Sequence, residues 1–241
     1  MTRSRAERIY SGLLVFSFCS GFGLLFSGLL SVEWIGKIFG LFSVILFLIG
    51  VVFLLLYPDL FTLESKKNLE KQGLDQVYFS MEAPIFLPGS TALIWLFTWG
   101  NVANWLEPVI AAVILAAALG VLFWRVLDYF QEKPKELIAY VLTMAFALTG
   151  ILWQVNRILD FAQPEFVQAE VQHIGNSYQR RGPDLYFFVT EINGDTCVIR
   201  VRGQQWKELS IGEYVMIEIH SGALGMEYYE LADVWQIHNR K

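Results

Sequence analysis

The chain has 241 residues, 55% of them hydrophobic, 15% aromatic and 17% charged, with a net charge of −5. That balance lies outside ordinary globular usage and assigns much of the length to lipid. Residues 164–241 hold seven Lys/Arg against eleven Asp/Glu, so they carry four of the five net negative charges, and this acidity argues against a nucleic-acid partner.

A helix needs about 20 apolar residues to cross the hydrocarbon core. The first run, 9–31, follows "MTRSRAER" in the manner of a signal peptide, but it continues past that length and a second run, 35–57, follows at once. A retained helical hairpin is therefore expected. Pro58 and Asp59 close the second run, because proline cannot continue the backbone ladder. The connection to residue 85 is polar, and "LESKKNLEKQGLDQ" reads as a short solvated helix ending at Gly73.

Residues 86–105 admit two readings: a third span ending in "GNVANWLEP", or a re-entrant element with polar Asn101 and Asn104 inside the membrane. Two further spans are expected at 109–130 and 137–160, on either side of "QEKPKE". Positive charge favours five spans. With the N-terminus in the cytoplasm, Arg3, Arg5, Arg8, Lys66, Lys67, Lys71, Arg125, Lys133 and Lys135 fall inside and only Lys37 outside; the re-entrant alternative lowers nine against one to six against four. Five spans place Trp105 at the outer interface, open the fourth span with Pro108, and put the remainder of the chain outside the cytoplasm.

Residues 164–241 alternate like a soluble β domain and are expected to fold alone. Strands are expected at 167–174, 185–192 and 196–202, the last two joined by the tight-hairpin signal "NGD", then in "IGEYVMIEI" and near "EYYELADVW" after the turn "SGALG". Five or six short strands in this length predict a small barrel of the OB or SH3-like kind. The expected fold class is thus a five-span helical bundle, residues 1–163, carrying an all-β barrel. Helical spans followed by such a barrel resemble the layout of NfeD-like bacterial membrane proteins, and the turn and strand "GEYVMI" is similar to that of many small barrels. The resemblance covers the layout of the whole chain and assigns no residue a role.

No motif names a reaction. There is no G-x-S-x-G, H-E-x-x-H or phosphate loop, and no catalytic residue, cofactor or metal ligand is expected. His173, His220 and His238 fall on separate stretches, so a zinc site would require them to converge with a carboxylate such as Glu218 or Glu170. Cys19 and Cys197 lie in different compartments and build no disulfide framework. The spans contain no acidic or basic residue near the bilayer centre, which weighs against an ion-coupled transporter.

Small residues recur four apart: Cys19, Gly23, Ser27 and Ser31, then Gly36 and Gly40, Ala112, Ala116 and Gly120, and Ala139, Thr143 and Ala147. Such faces admit close backbone contact, within one bundle or between copies in a homo-oligomer. In "NSYQRRGPD" the exposed loop residues Tyr178, Arg180 and Arg181 are of the types favoured at protein interfaces. Two functions are expected: an inner-membrane adaptor whose β domain binds another membrane or envelope protein, or an oligomeric conduit lined by Asn101 and Asn104.

Overall fold

The structure is a computed structural model of the whole chain, and it describes residues 1–30, 33–127, 130–131, 133–177, 185–201 and 203–232. Two compact units emerge, and both are discontinuous. The first comprises Met1–Trp95 and Leu106–Ile158; the second comprises Leu96–Trp105 and Leu159–Lys241.

The first unit is helical. Helices α1 (Arg3–Leu30) and α2 (Glu33–Leu56) form the expected hairpin, followed by α4 (Glu82–Trp99), α5 (Leu106–Val126) and α6 (Pro134–Ile158), with a short α3 (Lys66–Gln72) in the connection before α4. Among the described residues four segments are long and apolar enough to cross a membrane: Arg3–Gly28, Trp34–Leu56, Leu106–Val126 and Pro134–Ile158. The fifth expected span corresponds to α4, which stops at Trp99 rather than 105 because the next residues pair with strands of the second unit.

Small side chains set the helix contacts. A Cβ on Gly150 of α6 would lie 2.5 Å from the Gly89 carbonyl oxygen of α4, and one on Gly89 would lie 2.7 Å from the Ala147 carbonyl, so these two backbones touch directly. Phe86 stacks on Tyr140 near the start of both helices, whereas Arg157 lies over Trp95 toward the end of both, so α4 and α6 run side by side in the same direction. Helix α5 turns Ala112, Ala116, Gly120 and Phe123 inward.

Pro88 lies inside α4 and has no N–H to offer the carbonyl of Pro84 one turn earlier. The Ser17 hydroxyl of α1 donates to that carbonyl at 3.2 Å, which removes the cost of leaving it bare among apolar side chains.

The polar connection folds more closely than a wetted helix requires. Ser65 caps α3 by accepting the Asn68 N–H, and Gly73 closes it in the left-handed conformation. Two-residue parallel strands β1 (Phe61–Thr62) and β2 (Phe79–Ser80) hold its ends together. Glu64 is buried, accepting from Gln72 Nε2 at 2.6 Å with Lys133 Nζ at 3.6 Å, and the Tyr140 hydroxyl donates to the Leu63 carbonyl.

The second unit is β-rich. Strands β3 (Glu165–Glu170), β7 (Tyr214–His220) and β8 (Tyr228–Leu231) form one antiparallel sheet, with β7 central. Strands β4 (His173–Ser177), β5 (Leu185–Ile192) and β6 (Asp195–Val201) form the other, with β5 central, and a short helix α7 (Gly203–Glu208) follows. The β5–β6 hairpin turns on Asn193 and Gly194, both with positive φ, as the "NGD" signal requires.

The strand expected at 167–174 is divided. Val171 N–H donates to the Glu213 carbonyl and Gln172 N–H to the Val189 carbonyl, so the chain changes sheets between adjacent residues. Among the described residues the two sheets do not close into a barrel. A core of Ala169, Val171, Phe188, Ile199, Val215 and Ile217 fills the unit.

Candidate functional site

Within the second unit, residues Gly100–Ala103 occupy the space between two sheet edges. Asn101 uses its side-chain amide as a strand residue uses its peptide: Oδ1 accepts the Arg200 N–H at 2.7 Å, and Nδ2 donates to the Arg200 carbonyl at 3.0 Å. Its own carbonyl accepts the Tyr229 N–H at 2.9 Å, Ala103 N–H donates to the Glu227 carbonyl at 2.9 Å, and Val102 bridges Tyr228. One short segment thus joins edge strand β6 to edge strand β8 and satisfies backbone groups that an open edge leaves bare.

The Arg200 side chain completes this clamp. Its guanidinium donates to the carbonyl of Gly100 at 3.0 Å, just past the end of α4, and at 3.4 Å to that of Leu96, which also accepts the Gly100 N–H at 2.8 Å. Burial lowers the guanidinium pKa from its usual value. On the facing strands, burial raises the Cys197 thiol and the Tyr229 phenol above their ordinary ranges, so both are held neutral.

A second knot ties the exit from α6 to β7. Asp160 Oδ1 accepts the Ala162 N–H at 3.2 Å and Oδ2 the Gly222 N–H at 3.1 Å. His220 lies between carboxylates, with Nδ1 3.7 Å from Asp160 Oδ2 and Nε2 3.3 Å from Glu218 Oε2, and its ring stacks on Tyr228 at 4.5 Å. The two carboxylates face opposite ring nitrogens, so they do not converge on an ion bound to either one. Among the described residues no group of three His, Cys, Asp or Glu side chains is arranged to hold a metal. His173 is exposed on β4, and His238 lies outside the described residues.

Within the first unit, polar residues gather where α2 meets the last turns of α6. Arg157 is buried with its guanidinium 4.6 Å from the Trp95 ring centroid, Asn156 is buried beside it, and Gln154 is fully buried with neither amide atom hydrogen-bonded. Gly40 leaves room for Gln154, since a Cβ there would lie 2.5 Å from Oε1; a Cβ on Gly36 would lie 3.0 Å from the Ser27 hydroxyl and 4.0 Å from Arg157 Nη1. Ser20 and Ser43 join α1 to α2 through their hydroxyls at 2.6 Å.

Of the small-residue face expected on the first two spans, Gly23 packs beneath the Phe39 ring, while Ser27, Gly36 and Gly40 are buried. Cys19 is exposed and lies off that face. The buried series is Leu13, Ser17, Ser20, Leu24 and Ser27, because contact follows alternating steps of four and three rather than fours alone. On α6 Ala139 and Thr143 are likewise exposed, and Ala147 and Gly150 make the contact. Asn104 is exposed. Tyr178, Arg180 and Arg181 lie outside the described residues.

The sequence reading did not find Asn101's pairing, Asp160, Arg200 or the Gln154–Arg157 cluster. The first three depend on partners distant in the chain, whereas the polar spacing Gln154, Asn156, Arg157 at the end of an apolar run was a usable local signal. No family model, curated protein or solved structure matches the chain.

Proposed function

We propose that the protein is a non-enzymatic adaptor of a bacterial inner membrane, with five spans and a cytoplasmic N-terminus. On this reading it carries its β unit outside the cytoplasm to dock on another membrane or envelope protein. The observation that carries the reading is apolar surface of the β unit lying outside its core: Ile211 (65% exposed) and Tyr214 (61%) flank the Gly212 turn, and Val198 (58%) stands on β6. Exposed aromatic and aliphatic side chains in a unit with its own filled core are the kind of anchor a partner's pocket covers.

Five crossings are supported by the side-by-side packing of α4 on α6 through Gly89 and Gly150, by the repair of the Pro84 carbonyl, and by the nine-to-one charge count. At 18 residues α4 is about 27 Å long, close to the hydrocarbon thickness. The NfeD-like layout belongs to the same proposal. The conduit alternative needs Asn101 facing a polar path, but its amide is engaged by Arg200.

Two measurements test this. A photoreactive residue at Val198, Ile211 or Tyr214 should capture one discrete membrane or envelope protein in native membranes, and Val198→Asp or Tyr214→Asp should abolish the product. Absence of a product at all three positions, together with ion flux through the purified protein in liposomes, would replace the adaptor by the conduit. An alkaline phosphatase fusion after Lys241 should be active and a cytoplasmic reporter dark; the reverse ends the five-span orientation.

A further inference from the structure

We infer that the Asp160 knot builds a membrane-interface anchor into the β unit, with Phe161 and Leu224 seated among lipid headgroups and upper acyl chains. These residues differ from those of the proposed docking surface, so either reading can fail alone.

Phe161 is 86% exposed and Leu224 47%, although both belong to a unit with its own filled core. Their exposure follows from deliberate local geometry. Asp160 Oδ1 turns the chain by accepting the Ala162 N–H, which projects Phe161 outward. Oδ2 of the same carboxylate accepts the Gly222 N–H, which fixes the "SGALG" turn beside it. That turn is closed by the Gly225 N–H donating to the Gly222 carbonyl at 3.1 Å, with both glycines in the left-handed region, φ 67° and 76°. Ala223 and Leu224 are left at its exposed tip while Met226 anchors it in the interior.

What covers this tip follows from chain position. Phe161 comes three residues after Ile158, the last residue of a span, so its Cα lies at most about 11 Å from the helix end even if the chain is fully extended. Each interfacial layer is roughly 5–8 Å thick beyond the hydrocarbon. The Asx turn at Asp160 shortens the path below that limit, toward the thickness of the layer. Leu224 lies two residues from Gly222, which is tied to the same carboxylate, and we place it in the same layer. The entry to α5 repeats the arrangement: Trp105 immediately precedes Leu106, the first residue of a span, and stacks on exposed Phe97 at 5.1 Å. Tryptophan is a usual anchor at this depth, and Phe and Leu form the apolar face of elements that lie in the interface.

The test uses the full-length protein in phosphatidylcholine–phosphatidylglycerol nanodiscs, with Cys19 and Cys197 replaced by Ala and a nitroxide attached at Leu224→Cys, Phe161→Cys or, as an aqueous reference, Asp195→Cys in the β5–β6 turn. Labels at 224 and 161 should collide more often with dissolved oxygen than with a water-soluble nickel chelate, and the label at 195 should show the opposite order. Adding Asp160→Ala should release the label at 224, raising its mobility and shifting its collisions toward those of 195. Aqueous behaviour at both 161 and 224 would overturn the proposal. So would labels that become protected only in native membranes while crosslinking to a protein, which would assign the tip to a protein partner.

Discussion

Replacing Asn101 by alanine removes two hydrogen bonds at once, and its effect can be estimated in advance. The bonds to Arg200 N–H and C=O, at 2.7 and 3.0 Å, are both between neutral groups, each contributing about 0.5–1.5 kcal/mol, so the loss should be about 1–3 kcal/mol. The site is half-buried rather than sealed, which lets water recover part of the loss and holds the figure within that range. Amide exchange at Arg200 and Tyr229 should accelerate about 5- to 150-fold, because both N–H groups rest on this residue. Asn101→Asp should lose nearly as much, since a carboxylate still accepts from Arg200 N–H but has no donor for the Arg200 carbonyl. Hydrogen exchange with mass-spectrometric readout on the detergent-solubilised protein measures both variants. Unchanged protection across 197–201 and 227–231 in Asn101→Ala would refute the idea that residues 101–103 complete the sheets.

Gly23→Leu forces a branched side chain into the Phe39 ring and should cost about 1–3 kcal/mol in detergent stability, whereas Leu25→Ile should be nearly silent; thermal aggregation of the two variants separates them. Ser17→Ala should cost about 1 kcal/mol in the native chain but almost nothing alongside Pro88→Ala, because an alanine N–H supplies the Pro84 carbonyl itself; a double-mutant cycle reads that coupling. Gln154→Met keeps the length and removes a buried amide without hydrogen-bond partners, so thermal denaturation should show stabilisation of about 1 kcal/mol. Cys197 should alkylate more slowly than an unperturbed thiol at pH 8, because a raised pKa leaves less thiolate, and the rate should keep climbing at more alkaline pH; timed maleimide labelling follows it.

Elements specified by local chemistry were legible in the sequence. The apolar runs announced the helices, Ser65 and Gly73 bounded α3, and Asn193–Gly194 fixed the hairpin, since each signal acts within a few residues. Features requiring distant partners were not. A stretch of eight strand-forming residues gave no sign that it changes sheets at Val171–Gln172, because that break depends on carbonyls supplied by Glu213 and Val189. Likewise "GNVAN" reads as a polar loop until β6 and β8 are beside it. Reading the small-residue faces at a strict spacing of four selected Cys19, although a helix of 3.6 residues per turn carries such a row steadily off the contact.

The division of the β unit by α5 and α6 also sets a timetable for its synthesis. Asn101 leaves the ribosome well before Arg200 and Tyr229, and at roughly 5–20 residues/s that interval is on the order of ten seconds. Throughout it, the segment that will join β6 to β8 has no strand to pair with, while two membrane helices are made and inserted. Premature release of the chain before Tyr228 would therefore leave β6 facing only half of its neighbour and would expose an edge open to other chains. Nascent chains arrested between residues 201 and 228 should accordingly be more sensitive to protease at residues 100–105 than the finished protein.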